Sequence, residues 1–101
     1  MRKTPEGRFK EKAKKIISER YPGCYMFEMK GGDQGIPDTL ILYGELWALL
    51  EFKESSTAAH QPNQDYYVEK FDRMGFSAFV YPENLDYILR KMDRWFAEFD
   101  D

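Results

Sequence analysis

The 101-residue sequence predicts a mixed α/β domain built on a four-stranded sheet. Three observations lead to this prediction. Apolar residues recur at helical spacing in three segments, short apolar runs typical of strands occupy four others, and a single helix separates the third strand from the fourth. The predicted element order is therefore α-β-β-β-α-β-α, with that helix as the crossover between two strands of one sheet. At this length we expect residues 1–101 to form a single domain.

The first helix is predicted to span residues 5–20. Pro5 suits a first helical turn, Thr4 suits an N-cap, and residues 21–23 (YPG) end the helix. Its apolar face consists of Phe9, Ala13, Ile16 and Ile17. Glu6 lies at the amino-terminal end of that face, either because the helix dipole favours a carboxylate there or because Glu6 points at a site on the sheet.

Three apolar runs follow and are predicted to be strands: Cys24–Met29, 38–43 and 46–53. A glycine-containing loop, Lys30–Ile36, joins the first two runs. Gly44 and Glu45 separate the last two, and glycine at the first position of a two-residue loop is typical of a type II′ hairpin turn. We therefore expect the second and third strands to form an antiparallel hairpin.

The second half of the chain is predicted to contain a helix at 62–75, a strand at 76–81 and a final helix from Pro82 to about Phe99. Gln64 heads the apolar face of the first of these helices, which consists of Tyr67, Val68, Phe71 and Met74. The final helix carries a wide apolar stripe of Leu85, Ile88, Leu89, Met92, Trp95, Phe96 and Phe99. This stripe is either a core face or a surface for dimerisation.

The hairpin is apolar except at its open end, where Asp38 begins one strand and Glu51 and Lys53 end the other. With Gly44–Glu45 as the turn, Asp38 lies opposite Glu51, and such opposite side chains are about 5 Å apart. Lys53 shares a face with Glu51 because strand residues two apart point the same way. Two carboxylates at this separation suit Mg²⁺, which prefers oxygen ligands. The alternative is three ordinary exposed strand ends, with Lys53 neutralising the acids.

The net charge of −3 is distributed unevenly along the chain. Residues 1–20 contain eight basic and three acidic residues, whereas residues 21–101 contain seven basic and fifteen acidic ones. A basic first helix on an acidic body can meet phosphates locally, although a solvated helix face explains the same charges.

Other features of the sequence favour a protein of the reducing cytoplasm that has no membrane association. No apolar run approaches the roughly 20 residues of a membrane span. The amino-terminal stretch is charged where a secretory signal needs an apolar segment. Cys24 is the single cysteine, so the chain has neither an internal disulfide framework nor a cysteine zinc cluster.

The charged residues of the hairpin belong to a set that resembles the PD-(D/E)XK nuclease superfamily. The set consists of Gly35-Ile36-Pro37-Asp38, Glu51-Phe52-Lys53 and Gln64 on the following helix. Within the superfamily the sequence is most similar to the virus-type replication-repair nucleases (VRR-NUC) and Holliday junction resolvases, particularly small phage-borne ones. The likeness spans residues 4–84 and begins at Thr4-Pro5-Glu6-Gly7. The predicted element order agrees with the αβββαβ core of the superfamily, here followed by a C-terminal helix.

The resemblance implies a metal-dependent active site. Asp38 and Glu51 would ligate Mg²⁺ together with the backbone carbonyl of Phe52, and Mn²⁺ is expected to substitute for Mg²⁺. Hydrolysis of a phosphodiester needs an activated water and stabilisation of the developing negative charge, and a bound Mg²⁺ can supply both.

Three further side chains have roles implied by the same resemblance. Lys53 would orient the attacking water and offset charge on the phosphate. Glu6 would reach a second metal or its water, and Gln64 would brace the site or touch the scissile backbone.

Two functions from different classes remain open at this point. One is a Mg²⁺-dependent DNA endonuclease selective for Holliday junctions or other branched DNA, expected to be a homodimer because a junction needs two symmetric cuts. Its phosphate contacts are expected among Arg2, Lys3, Arg8, Lys10, Lys12, Lys14 and Lys30. The alternative is a catalytically inactive nuclease-fold module that binds DNA or protein. An RNA nuclease also stays open, and a phage-encoded protein would act in the host cytoplasm.

Roles for three further features near these motifs stay open. Glu28 faces either the site or solvent. His60 has no counterpart role in the family and is expected on a loop surface. The loop around Lys30 (KGGDQG) either tracks the DNA backbone or serves as a strand connection.

Overall fold

A computed structural model describes residues 3–98 of the chain. The elements in this part are α1 (Pro5–Arg20), β1 (Tyr25–Glu28), β2 (Thr39–Tyr43), β3 (Leu46–Phe52), α2 (Gln64–Met74), β4 (Ser77–Val80) and α3 (Leu85–Phe96). The predicted element order is confirmed. The proposed DNA contact at Arg2 and the predicted helix end near Phe99 lie outside the described residues.

The four strands form one mixed sheet in the order β1-β2-β3-β4. β1 pairs with β2 and β2 with β3 in antiparallel fashion, whereas β3 and β4 are parallel and joined by α2. The hairpin turn lies at the predicted place, because Tyr43 pairs with Leu46 and Gly44 has a φ of +61°. Glycine adopts this left-handed backbone without the steric cost that other residues incur.

The helix starts follow local hydrogen bonding. Thr4 is the N-cap of α1, and its hydroxyl accepts a hydrogen bond from the backbone N–H of Gly7 at 3.0 Å. α2 starts two residues later than predicted because Asn63 has a left-handed φ of +71°. α3 starts three residues later than predicted, because the Asn84 side chain accepts a hydrogen bond from the N–H of Tyr81 at 2.9 Å and holds a turn there.

The main core lies on one face of the sheet, beneath α1 and α3. It consists of Ala13, Ile17, Tyr21, Ile41, Ala48, Leu50, Phe52, Phe76, Val80, Ile88, Leu89, Met92 and Phe96. The stripe predicted on the last helix is therefore a core face over its described length, since it packs against the sheet of its own chain. Trp95 of this stripe also donates its indole N–H to the carbonyl of Trp47 at 2.9 Å.

α2 packs against β3 and β4 on the opposite face, to which Trp47, Leu49 and Glu51 point by strand alternation. A Cβ atom on Gly75, at the end of α2, would lie 2.5 Å from the ring of Trp47, so the helix end and the indole are in direct contact. The placement of Met74 on the buried face of α2 was wrong: its side chain is 65% exposed. Within residues 3–98 no helix combines the length and apolarity needed to cross a membrane.

Candidate active site

The hairpin register brings Asp38 and Glu51 to the same end of the sheet. The β2–β3 pairs run from Tyr43–Leu46 to Thr39–Leu50 without a bulge. Asp38 directly precedes Thr39 and Glu51 directly follows Leu50, so both acids lie just beyond the last β2–β3 pair, at the same end of the hairpin. This arrangement agrees with the one expected from the two-residue turn.

Glu51 is only 6% exposed, and its pKa is raised to about 7. Burial is the largest cause, and the charges of Asp38 and Glu6 raise the pKa further. The charges of Lys53 and Lys10 act in the opposite direction. The structure therefore brings Glu6, Asp38 and Lys53 into the electrostatic neighbourhood of Glu51.

Lys53 is buried, with 5% of its surface exposed. Its backbone N–H donates to the carbonyl of Val80 at 2.9 Å, which extends the parallel pairing of β3 with β4 by one residue. Its ammonium group donates to the carbonyl of Ala59 at 3.2 Å. A positive charge is thus held beneath the loop between β3 and α2, on the sheet face of Glu51.

Both carboxylate oxygens of Asp38 accept hydrogen bonds. Oδ1 accepts one from the hydroxyl of Thr39 at 2.9 Å, and Oδ2 accepts one from the ammonium of Lys10 at 3.0 Å. Thr39 is fully buried, whereas the side chains of Asp38 and Lys10 are partly exposed. The carboxylate of Asp38 is therefore held by a buried hydroxyl on one oxygen and by a partly exposed ammonium on the other.

Glu28 on β1 binds two lysines of α1. Its Oε2 accepts a hydrogen bond from Lys10 at 2.8 Å, and its Oε1 accepts one from Lys14 at 2.9 Å. Burial raises the pKa of Glu28, but these two lysines outweigh burial and the pKa is lowered. Burial likewise lowers the pKa of Lys10, and its hydrogen bonds to Glu28 and Asp38 more than offset that effect.

This lysine–carboxylate cluster is the part of the site that sequence reasoning missed. Lys10 and Lys14 are one helical turn apart and so share a face of α1. That spacing was a detectable signal, but their common partner Glu28 lies on a separate strand. The position of Glu28 relative to α1 depends on how the helix packs on the sheet.

Gln64 is buried at the start of α2. Its side-chain Oε1 accepts a hydrogen bond from the backbone N–H of Gln61 at 2.7 Å, so it stabilises the entry into the helix. A role of Gln64 in bracing the active site stays a prediction. A contact of Gln64 with the DNA backbone stays a prediction.

The loop between β1 and β2 reaches the amino-terminal end of α2. The hydroxyl of Tyr67 donates to the carboxylate of Asp33 at 3.0 Å. A Cβ atom on Gly35, whose φ is +99°, would lie 2.7 Å from the backbone carbon of Asn63 and 2.8 Å from the carbonyl oxygen of Pro62. The loop is therefore docked next to the site, and Lys30 at its start is exposed.

The other basic residues proposed to bind DNA lie along α1. Lys3 forms a salt bridge with Glu11, and the guanidinium of Arg8 donates to the carbonyl of Lys3 at 2.8 Å. Lys12 is exposed. The structure places these groups on the surface of α1, while Lys10 and Lys14 lie within the cluster around Glu28; phosphate contacts by any of them stay predictions.

His60 is exposed and lies in the loop before α2, as expected. Its ring stacks on Phe79 with a centroid distance of 4.0 Å and an interplanar angle of 17°, and its Nδ1 is hydrogen-bonded to Asp65 at 2.9 Å. Because Phe79 pairs with Glu51 in the parallel ladder, this stack covers the sheet face beside the carboxylates. The sequence carried no signal for this contact.

The donor set at this end of the sheet suits a hard divalent cation. Asp38 and Glu51 could supply oxygen ligands, and the pKa of Glu51 is raised first by burial and then by the charges of Asp38 and Glu6, which a cation would offset. Within residues 3–98 no three His, Cys, Asp or Glu side chains are grouped so that they could hold a metal ion. A metal here would thus rely on two carboxylates, a backbone carbonyl such as that of Phe52, and water; the role of Glu6 stays a prediction.

Comparison with known proteins bears on the fold. No protein-family model matches the sequence, and no curated protein matches it either. A solved structure of a VRR_NUC domain is similar with a TM-score of 0.70 and 25% sequence identity, covering 87% of this chain and 97% of that one. A VRR_NUC domain protein is similar with a TM-score of 0.58 and 12% identity, covering 94% of this chain and 90% of that one. The chain therefore has the VRR-NUC nuclease-family fold that its motif residues predicted.

Proposed function

We propose that the chain is a Mg²⁺-dependent endonuclease that hydrolyses DNA phosphodiester bonds, with selectivity for Holliday junctions or other branched DNA. Similarity to a VRR_NUC domain over 87% of the chain supports a nuclease-type function. The specific observation in favour of this proposal is the electrostatic coupling at the sheet end. The charges of Asp38 and Lys53, the other two residues that the chemistry requires, both act on the buried carboxylate of Glu51.

The chemistry assigns a role to each of these groups. Asp38 and Glu51 would hold Mg²⁺ with help from the carbonyl of Phe52. The bound Mg²⁺ would activate water and stabilise negative charge on the phosphate. Lys53 keeps a fixed positive charge on the same face, where it would orient the attacking water and offset charge on the transferred phosphate. Glu6 would bind a second metal or its water.

Gln64 and the basic groups around the site have supporting roles in the proposal. Gln64 fixes the entry of α2 beside the loop that carries Asp33 and Gly35. Lys30, Lys12 and Arg8 are exposed and would contact DNA phosphates. Paired cuts at a junction require two active sites, so we expect a two-fold homodimer. The apolar stripe of α3 packs into the core of its own chain, so the dimer interface would use another surface of the protein.

A cleavage assay tests the proposal. Labelled four-way junction, flap, single-stranded and duplex DNA are incubated with the protein in Mg²⁺ and then in Mn²⁺, beside the Asp38→Asn and Lys53→Ala variants. We expect the wild-type protein to make paired nicks near the branch point and both variants to make none. Equal cutting of all four substrates would refute branch selectivity, and the absence of cutting with either metal would refute nuclease activity. Parallel incubation with RNA of the same shape determines which backbone is the substrate.

A second candidate, a non-catalytic binding module, is favoured by one surface. Tyr25, Phe27 and Leu42 are exposed apolar residues on the open half of the sheet face that carries Glu51. Exposed apolar groups clustered in this way suit a protein partner. A melting temperature that does not change in millimolar Mg²⁺ or Mn²⁺ would favour this candidate over the nuclease.

A further inference from the structure

The ammonium of Lys10 binds Asp38, one of the two carboxylates of the candidate metal site. This ammonium lies 3.0 Å from Oδ2 of Asp38 and 2.8 Å from Oε2 of Glu28. The ammonium and the carboxylates therefore form a partly buried network rather than a pair of freely solvated surface charges. This arrangement bears on how a metal ion could reach Asp38.

The second oxygen of Asp38 offers a less open approach. Oδ1 accepts a hydrogen bond from Thr39, whose side chain is fully buried on the core side. Oδ2 accepts its hydrogen bond from Lys10, and the side chains of Lys10 and Asp38 are 21% and 34% exposed. A hydrated cation that binds Oδ2 must therefore share or replace the contact with Lys10.

A divalent cation and an ammonium on the same carboxylate oxygen repel each other strongly at contact distance. The ammonium of lysine is a compact charge on a flexible four-carbon stem, so it can move without a change in the backbone. Glu28 also gives it an alternative partner, because this carboxylate binds Lys10 independently of Asp38. Lys10 can therefore leave Asp38 and still keep one carboxylate partner.

We propose that Lys10 is the internal counter-cation of the metal site, which holds Asp38 in the metal-free protein and must leave Asp38 before a divalent cation binds there. The inference rests on the metal site of the proposed function. Lys10 is a positioning residue in this scheme, and it sets the metal affinity below what Asp38 and Glu51 alone would give. Glu28 retains the displaced ammonium at the edge of the site.

The first test measures Mn²⁺ binding to the full chain by titration calorimetry. Removing the charge in Lys10→Met should tighten Mn²⁺ binding about tenfold. Lys14→Met removes a charge from the same cluster but leaves Lys10 on Asp38, so its effect should be clearly smaller. Lys15→Met, an exposed change on the same helix, should leave the affinity unchanged. Equal effects of Lys10→Met and Lys14→Met would overturn the proposal.

The second test uses the wild-type protein and so does not depend on the folding of a variant. Acetylation of each lysine by acetic anhydride, which transfers an acetyl group to the amine and releases acetate, is quantified by mass spectrometry with and without saturating Mn²⁺. If Mn²⁺ releases Lys10 from Asp38, the rate of acetylation of Lys10 should rise several-fold when Mn²⁺ is added. The rate at the exposed Lys15 should stay the same.

The outcomes separate this inference from the proposed function. Tighter binding by Lys10→Met together with increased reactivity of Lys10 in the wild type supports displacement. If the wild type binds Mn²⁺ but Lys10 reactivity does not rise, Lys10 remains on Asp38 and the inference is overturned while the metal site stands. If the wild type binds no Mn²⁺, both the metal site and the inference are overturned.

Discussion

Glu51 is buried beside Asp38, and after burial itself the charge of Asp38 is the largest influence that raises the pKa of Glu51 to about 7. Two acids brought together by one hairpin thus share a strained electrostatic environment in the metal-free protein. A metal ion or a proton would relieve that strain. Stability, metal binding and catalysis should consequently all respond to this pair.

Replacing Glu51 with glutamine should stabilise the metal-free protein at pH 8 and have little effect at pH 5. The pKa of Glu51 is raised from 4.5 to about 7 on folding, so the folded protein binds this proton more tightly than the unfolded chain. Wild-type stability should therefore fall as the pH rises from about 4.5 to about 7. Urea unfolding in chelator should show a gain of up to ~3 kcal/mol for Glu51→Gln at pH 8.

The exposed neighbour Glu54 provides the matched control, because Glu54→Gln removes the same charge without removing a buried one. If Glu51→Gln is no more stable than the wild type at pH 8, burial and the charge of Asp38 do not raise the pKa of Glu51.

Binding of Mn²⁺ should release a proton below pH 7. The metal requires ionised Glu51, so the affinity should rise by about tenfold per pH unit up to a pH near the pKa of about 7 and level off above it. Calorimetry in two buffers of different ionisation enthalpy measures the number of protons released. An affinity that is flat between pH 5.5 and pH 7 would mean that Glu51 is not a ligand.

Substituting Lys53 with methionine should reduce cleavage by at least about 100-fold, because the buried positive charge beside the phosphate is lost. Methionine retains the apolar length of the lysine stem in this buried position, so the fold should persist by circular dichroism. Lys70→Met, on the exposed surface of α2, serves as a control with the same charge change. Near-wild-type cleavage by Lys53→Met would remove Lys53 from the active site.

Gly35→Ala should destabilise the protein by about 1–3 kcal/mol and reduce cleavage, because the added methyl group collides with the backbone of Pro62 and Asn63. The loop that precedes Asp38 would then be pushed away from α2. Thermal unfolding and the cleavage assay measure the two effects.

Gly31→Ala is the matched control for this change. Gly31 also has a positive φ, +79°, but a Cβ atom there has no neighbour within 4 Å. Both variants carry the cost of a left-handed backbone, so the difference between them measures the loop contact. Equal destabilisation by the two variants would show that the docking of the loop contributes nothing.

The hairpin and its charged end could be predicted because they depend on local rules. A two-residue turn at Gly44–Glu45 sets the register, which brings Asp38 and Glu51 to one end of the hairpin, and the alternation of side chains places Glu51 and Lys53 on one face. Helix capping by Thr4 was equally predictable, because a cap involves residues only three apart. The αβββαβ order followed from apolar periodicity and is confirmed by the structure.

The contacts of Lys10 could not be predicted, because they depend on where α1 lies over β1 and β2. Lys10 was interpreted as a DNA contact on a basic helix, and nothing in the local sequence connects it with Asp38, which is 28 residues away. Met74 was misplaced for a related reason. Periodicity identified an apolar face on α2, but it could not show how far along the helix the sheet covers that face, and Met74 in the last turn is 65% exposed.

The turn at Gly44–Glu45 lies at the opposite end of the hairpin from the candidate active site, yet its length determines whether that site exists. Inserting one residue there would shift the pairing of β3 by one and turn Glu51 and Lys53 to the other face of the sheet. An insertion in the exposed part of the loop between β3 and α2 would leave this register intact. Insertions and deletions at the turn should therefore be as damaging to activity as loss of a catalytic carboxylate.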